Sequence, residues 1–115
     1  MKSITVVGLR DRLSKGSEAV LVDVRTPAEY RGGHVAGSVN VPLDKIEKTG
    51  AAAVGDTKGE LCLICESGKR AALAATRLGE SETEGALVVE GGIAQWKAAG
   101  FPTEGEQGVI SIERQ

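Results

Sequence analysis

Three short, almost wholly apolar stretches constrain the fold of this chain more than any other feature. They cover residues 19–24, 61–64 and 87–89, and each has the length of a strand. Apolar runs without alternation are typical of strands buried on both faces, as in a parallel sheet. Segments of helical character separate them, so the sequence predicts an α/β domain with a central parallel sheet flanked by helices.

The remaining elements are predicted from local signals. Residues 4–7 are short and rich in β-branched side chains, so we expect an edge strand there and a helix over residues 8–15. Thr26, Pro27 and Glu29 resemble a helix start with a cap, a first-position proline and a capping-box glutamate. We predict an extended segment over residues 39–42 and helices over 43–48, 71–79 and 93–99, whereas residues 50–59 carry no clear pattern.

Length and composition limit the classes of function. The 115 residues suit one domain, which we place at residues 1–104 with a tail at 105–115. The net charge of −2 and the three aromatic residues argue against a nucleic-acid partner. No apolar run approaches the roughly 20 residues of a membrane span, and the first residues do not resemble a signal peptide. We therefore expect a cytoplasmic protein.

The strongest candidate site follows the second buried run. It consists of Cys65, Glu66, Ser67, Gly68, Lys69 and Arg70, and a helical pattern comes directly after it. Ligands bind beyond the carboxyl ends of parallel strands, and a helix N-terminus offers unpaired amides and partial positive charge. Lys69 and Arg70 add to this field and Glu66 opposes it. The arrangement predicts a reactive thiolate at Cys65, with the loop amides holding an anionic partner.

The two cysteines invite other interpretations. A cysteine in a small domain is often an inert core residue, but the strand–loop–helix position of Cys65 favours a nucleophile. Cys62 and Cys65 also form a C-x-x-C pattern. If Cys62 lies in a strand, the two Cα atoms are about 10 Å apart and the side chains point to opposite faces, so no disulfide is expected. With His34 as the single histidine, we expect neither a metal nor a cofactor.

Four segments, taken in order, carry a family resemblance. They are residues 21–25 with 29–30, residues 33–42, residues 65–71, and residues 88–92 with Trp96 and 100–102. Together they resemble the signatures of single-domain rhodaneses, which are sulfurtransferases, over about residues 4–102. The resemblance implies a rhodanese-like three-layer domain.

The resemblance also implies a mechanism. Cys65 would take the outer sulfur of a donor, thiosulfate or a persulfide, and pass it as a persulfide to cyanide or a thiol. The amides of residues 66–70 would cradle that sulfur, and the Arg70 side chain would bind the donor or be held structurally. Asp23 and Arg25 would support the loop, with Arg25 paired to Glu29. His34 would be a neutral structural residue and Trp96 a core anchor.

Two alternatives within the same fold stay open. Phosphatases and arsenate-type enzymes related to rhodaneses use a C-x5-R loop that admits a tetrahedral anion, whereas this chain has C-x4-R, which suits sulfur. A non-catalytic binding module is the other alternative, and the intact Cys-x-Ser-Gly-x-Arg loop argues against it.

Glu66 departs from the family pattern, in which a basic or neutral residue often follows the nucleophile. A carboxylate some 6 Å from a bound anion costs about 2–3 kcal/mol at an effective dielectric of about 20, and less if it is exposed. We therefore expect thiosulfate to be a weak donor compared with a protein or low-molecular-weight persulfide. On that interpretation, Glu66→Gln lowers the KM for thiosulfate.

The last residues allow two interpretations. Residues 109–115 begin an amphipathic pattern, and a similar stretch occurs in rhodaneses that continue into a membrane segment. The chain is then either the domain of a membrane-anchored protein or one with an ordinary frayed terminus.

Overall fold

A computed structural model describes residues 2–16, 18–55, 57, 60–79 and 86–105. Five strands and five α-helices alternate along the described chain. They are β1 (Lys2–Ile4), α1 (Val6–Ser14), β2 (Val20–Asp23), α2 (Pro27–Gly32), β3 (Val39–Asn40), α3 (Leu43–Thr49), β4 (Leu61–Ile64), α4 (Lys69–Gly79), β5 (Leu87–Val89) and α5 (Gly92–Ala98). A 3-10 helix, Gly50–Ala53, follows α3 in the stretch that carried no clear pattern.

The five strands form one parallel sheet with the order β1-β5-β4-β2-β3. The three apolar runs become β2, β4 and β5, which are the three inner strands, so the prediction of a buried parallel sheet is confirmed. Their side chains are almost entirely buried because helices cover both faces of the sheet.

Two separate apolar clusters form the core, one on each face of the sheet. One contains Leu9 of α1 and Trp96 of α5, and the other contains Ile46 of α3 and Leu78 of α4. Alternate residues of β4 enter alternate clusters, as the two-residue period of a strand requires. The result is the predicted three-layer arrangement of helices, sheet and helices.

The expected strand over residues 4–7 is wrong in its bounds. β1 ends at Ile4, and Val6 and Val7 lie in the first turn of α1. The Thr5 hydroxyl accepts a hydrogen bond from the Gly8 amide at 3.0 Å, which caps the helix and begins it two residues before the predicted start. A good N-cap therefore overrides the β-preference of two valines.

The helix start at Thr26 is confirmed in detail. The Thr26 hydroxyl accepts from the Glu29 amide, and the Glu29 carboxylate accepts from the Thr26 amide, with Pro27 in the first turn. The helices predicted over residues 43–48, 71–79 and 93–99 are also present, each with bounds that differ by one or two residues. In the part of the chain that the structure describes, no helix is long and apolar enough to cross a membrane.

Candidate active site

The loop of residues 65–70, here called the Cys65 loop, leaves the carboxyl end of β4. That strand is central, with β2 on one side and β5 on the other. Helix α4 begins at Lys69, inside the loop. The sheet therefore brings the ends of three strands around Cys65, as expected for the ligand-binding edge of a parallel sheet.

The thiol of Cys65 lies beneath its loop and receives two backbone hydrogen bonds. The amides of Gly68 and Ala71 donate to Sγ at 3.0 and 3.3 Å. Cys65 itself is only 1% exposed. Amide donors around a sulfur stabilise negative charge on it, so the site suits a thiolate or a sulfur-bearing anion.

The N-terminus of α5 holds the loop from the other side. The amides of Ile93 and Ala94 donate to the carbonyl oxygens of Cys65 and Glu66 at 2.8 and 3.0 Å. The backbones of the loop and of α5 approach so closely that a Cβ on Gly92 would lie 2.2 Å from the Cys65 carbonyl oxygen. The sequence marked Gly92 as part of a motif but did not reveal this contact, which requires a glycine.

Arg25 lies at the carboxyl end of β2 and forms a buried ion pair with Asp23. Its Nε and Nη2 donate to the Asp23 carboxylate at 3.0 and 2.9 Å, and Nη2 also donates to the Gly33 oxygen at 2.7 Å. The predicted pairing of Arg25 with Glu29 is wrong. Arg25 precedes α2, so the four-residue spacing of a helix face does not apply to it, and its side chain turns back along β2.

Glu29 pairs instead with Arg70 at the end of the Cys65 loop. The two Nη atoms of Arg70 donate to the two carboxylate oxygens at 2.7 and 3.0 Å. The hydrogen bonds from Arg70 and Thr26 outweigh desolvation and lower the pKa of Glu29 to about 2. The same contact raises the pKa of Arg70. Sequence reasoning missed this pair because 41 residues separate its members.

Glu66, Ser67 and Lys69 lie on the exposed side of the loop. The Glu66 carboxylate is 3.8 Å from Nη1 of Arg25, and its side chain is 53% exposed. The negative charge of Glu66, which the sequence analysis identified, therefore lies next to the positive charge of Arg25.

Asn40 of β3 is a supporting residue that the sequence analysis did not single out. Its side-chain amide donates to the backbone oxygens of Asp23 and Arg25 at 3.0 and 2.9 Å. These bonds tie β3 to the end of β2 and fix the backbone that carries the buried ion pair. The sequence signal that could have indicated this role is the position of Asn40 within the family-like segment 33–42.

His34 has the structural environment that the sequence analysis favoured. Its Nδ1 is 2.7 Å from the Tyr30 oxygen, which can only accept, and its ring stacks on the Tyr30 ring. Trp96 is buried as expected and donates from Nε1 to the Pro102 oxygen at 2.8 Å.

Cys62 and Cys65 are both unpaired and lie on opposite faces of the sheet. Cys62 is fully buried in the α1/α5 cluster, and burial raises the pKa of its thiol. The first cysteine of the C-x-x-C pattern is thus a residue of β4, and the second lies in the loop that follows this strand. Among the described residues, no group of three or more histidine, cysteine, aspartate and glutamate side chains could hold a metal ion.

Comparison with known families agrees with this geometry. Residues 5–99 match the model of the rhodanese-like domain. The chain belongs to this family. The match runs from the cap of α1 to the end of α5 and leaves out only β1 among the described helices and strands.

Named relatives of this rhodanese domain include sulfurtransferases. Thiosulfate sulfurtransferase 16 of Arabidopsis thaliana, a chloroplastic protein, is 30% identical over 112 residues, which are 89% of this chain and 92% of that protein. Thiosulfate sulfurtransferase PspE of Escherichia coli is 34% identical over 59 residues, 51% of this chain and 57% of its own length. An uncharacterized Synechocystis protein is 35% identical over 106 residues, 90% of this chain. The chain spans 58% of that Synechocystis protein and 41% of a further relative from Mycobacterium tuberculosis.

Solved structures share the rhodanese fold. A rhodanese-related protein of Thermoplasma volcanium is 27% identical with a TM-score of 0.77, covering 90% of this chain and 97% of that one. A Rhodopseudomonas palustris protein described as a possible tyrosine phosphatase is 26% identical with a TM-score of 0.80, covering 90% and 85%.

Proposed function

We propose that this rhodanese domain is a sulfurtransferase that carries a sulfane sulfur as a persulfide on Cys65. One observation carries the proposal: the Cys65 Sγ accepts hydrogen bonds from the Gly68 and Ala71 amides beneath a loop at the start of α4. Hydrogen-bond donors fixed in this way stabilise a sulfur anion at the position where the persulfide would form.

The reaction has two balanced steps. In the first, the Cys65 thiolate attacks the outer sulfur of thiosulfate, the S–S bond of the donor breaks, and sulfite leaves with the electron pair of that bond. In the second, cyanide or a thiolate attacks the outer sulfur of the persulfide, and the Cys65 thiolate is released. No net oxidation occurs, because the sulfane sulfur passes between two nucleophiles.

The surrounding residues position the loop in this mechanism. The amides of residues 66–70 cradle the persulfide, and the Asp23–Arg25 pair supports the loop from β2. Glu29 holds the Arg70 side chain at the end of the loop. The amides of Ile93 and Ala94 in α5 bond the carbonyl oxygens of Cys65 and Glu66, and so hold the backbone of the loop that surrounds the sulfur.

The partners follow from this chemistry. The donor is a small sulfur anion or a persulfide, and the acceptor is cyanide or a thiol. Two relatives named as thiosulfate sulfurtransferases support this class of substrates. We extend the proposal to a reducing, cytoplasmic setting, in which the thiol of Cys65 would stay available for sulfur transfer.

Steady-state formation of thiocyanate tests the proposal. Wild type, Cys65→Ala and Cys62→Ala are incubated with cyanide and either thiosulfate or a low-molecular-weight persulfide. We expect turnover by wild type and Cys62→Ala and none above background by Cys65→Ala. Equal rates for wild type and Cys65→Ala would contradict the proposal and favour a binding module.

The possible-phosphatase description of the Rhodopseudomonas palustris neighbour gives a second activity to test. Hydrolysis of p-nitrophenyl phosphate is measured with the same three proteins. The C-x4-R spacing of the Cys65 loop predicts no Cys65-dependent hydrolysis.

A further inference from the structure

The charged side chains around the Cys65 loop balance each other. The loop itself and the ion pairs that hold it contain three carboxylates and three cations, so the formal charges of this set sum to zero. They are Asp23, Glu29 and Glu66, and Arg25, Lys69 and Arg70. Side chains with no net charge add no long-range attraction for a doubly charged anion to the short-range hydrogen bonds of the loop amides.

Arg70 would be the natural anchor for such an anion, but its guanidinium is already engaged. Both of its Nη atoms bond Glu29, in the two-point geometry that gives the strongest arginine–carboxylate pairs. The two side chains are 33% and 37% exposed, so the pair lies at the surface next to the loop. An anion that recruits Arg70 must displace a carboxylate.

The other two cations offer little more. Arg25 is 5% exposed and lies between the Asp23 carboxylate and Glu66. Lys69 is exposed and forms no ion pair with any residue that the structure describes. Its charge is therefore screened by solvent.

We propose, given the sulfurtransferase function above, that this site selects donors by charge and prefers an organic persulfide to divalent thiosulfate. Glu29 sets this preference by holding Arg70. It acts as a specificity-determining residue because it determines how much positive charge the donor meets.

A cavity next to Arg70 fits the organic part of such a donor. It has a volume of about 320 Å³ and is lined mainly by the apolar surfaces of Val24, Pro27, Pro42 and Leu43, with Asp44 and Arg70 as its charged residues. Arg70, which ends the Cys65 loop, is one of the lining residues, so the cavity borders the loop. Val24, on another side of the cavity, packs in the same core cluster as Cys65. An inorganic anion has no group to place there.

The transfer from this donor balances without a further reactant. The Cys65 thiolate attacks the outer sulfur of R–S–S–H, and the S–S bond of the donor breaks. The thiolate R–S⁻ leaves with the electron pair, and the proton stays on the sulfur that is now bound to Cys65.

Glu29→Gln tests the selection by charge. Glutamine can keep the capping box, so the variant removes the charge and one strong bond while retaining the helix start. We expect kcat/KM for thiosulfate to rise about tenfold, and that for the uncharged-substituent donor N-acetylcysteamine persulfide to rise about threefold or less. Each value is divided by the rate of the same donor with free cysteine, which removes differences in intrinsic reactivity.

Ionic strength provides a readout that a purely structural role of Glu29 would not change. Wild type should show little salt dependence with thiosulfate, whereas Glu29→Gln should lose its gain as salt is added. Asp11→Asn, which removes an exposed carboxylate in the last turns of α1, is the matched control and should leave both donors unaffected. An unchanged ratio of the two donors in Glu29→Gln would overturn the proposal.

Two variants at Asp44 test the cavity. This residue is exposed at the cavity wall, so Asp44→Phe is designed to fill the space, whereas Asp44→Ser removes the charge without filling it. We expect Asp44→Phe to lower kcat/KM for the persulfide at least fivefold relative to Asp44→Ser, with thiosulfate equal in the two variants. Equal persulfide kinetics in both variants would place the organic group elsewhere and contradict this part.

Failure of this inference is distinct from failure of the proposed function. If wild type turns over both donors through Cys65 but prefers thiosulfate after the reactivity correction, the inference fails and the sulfurtransferase function stands. If neither donor loads Cys65, the proposed function itself fails.

Discussion

At the scale of single residues, two cysteines three positions apart have different environments. Cys62 is in the middle of β4 and packs among apolar side chains, where burial disfavours its thiolate and raises its pKa. Cys65 is one residue beyond the strand and accepts two amide hydrogen bonds. The end of the strand at Ile64 therefore separates a core residue from a candidate nucleophile.

Replacement of Cys62 by alanine tests this separation. We expect the unfolding free energy to fall by about 1–2 kcal/mol, because a buried sulfur atom is removed from a packed core. Sulfur loading of Cys65 should remain at the wild-type level. Urea unfolding and persulfide formation measure the two quantities, and a loss of loading in the folded variant would revive the dithiol interpretation.

Arg25→Met tests the buried pair beneath the loop. It leaves the fully buried Asp23 carboxylate without its main partner, so we expect a loss of about 3–5 kcal/mol in unfolding free energy. Lys45→Met, at an exposed position of α3, serves as the control and should be nearly neutral. A similar small effect in both variants would show that the pair does not stabilise the fold.

The sequence was sufficient to predict which residues belong to the site, but not which charged side chains form ion pairs there. Cys65 stood out because a buried run, a polar loop and a helix follow one another within a few residues. The partner of Glu29 could not be inferred, because Arg70 becomes its neighbour only when β2 and β4 lie side by side. Spacing rules for one helix described the cap at Thr26 but not contacts between elements.

At the scale of elements, the close approach of α5 to the Cys65 loop is the feature most sensitive to substitution. Two α5 amides bond loop carbonyl oxygens, and Gly92 adopts a positive φ of 58° at the contact. Glycine is needed there for both space and conformation.

Gly92→Ala is therefore expected to cost about 3 kcal/mol or more and to abolish sulfur loading. Gly100→Ala is the matched control, because Gly100 also has a positive φ but a Cβ there meets nothing within 4 Å. It should cost only about 1–2 kcal/mol and leave loading intact. Thermal unfolding and a sulfur-loading assay compare the two variants. Equal loading in both would show that the contact with α5 is not needed for loading.

The elements themselves were predicted with unequal success. The inner strands were found because burial on both faces leaves an uninterrupted apolar run. β1 was placed two to three residues late because Val6 and Val7 have strand-like side chains, while the cap at Thr5 determines their conformation. The predicted tail at residues 105–115 lies almost wholly outside the described residues, so its boundary stays a prediction.

At the scale of the whole molecule, the parallel sheet brings distant residues to one edge. Residues from β2, β3, β4 and α5 meet around Cys65 although they are up to about 70 positions apart in the chain. The class of fold was predictable because apolar runs of strand length alternate with helical patterns along the chain. The strand order was not, because local apolar patterns do not specify which strands become neighbours.

The Glu29–Arg70 pair links α2 to the Cys65 loop and gives the stability of the molecule a pH dependence. The pKa of Glu29 falls from an ordinary 4.5 to about 2, so its contribution is complete above about pH 4.5 and is lost as the pH falls through about 2. Because the two side chains are 33% and 37% exposed, we expect the pair to contribute only about 1 kcal/mol to the free energy of unfolding. Urea unfolding should show wild type more stable than Glu29→Gln at pH 7, with the difference shrinking below about pH 4.5 and vanishing only below about pH 2. A constant difference across this range would contradict the assignment.

Whether Cys65 carries the transferred sulfur is tested by the intact mass of the protein after exposure to a sulfur donor. Wild type, Cys62→Ala and Cys65→Ser are each incubated with thiosulfate or N-acetylcysteamine persulfide, and cyanide is then added. We expect wild type and Cys62→Ala to gain the mass of one sulfur atom, Cys65→Ser to gain none, and cyanide to remove the addition. A gain on Cys65→Ser, or none on wild type with either donor, would contradict a persulfide carried by Cys65.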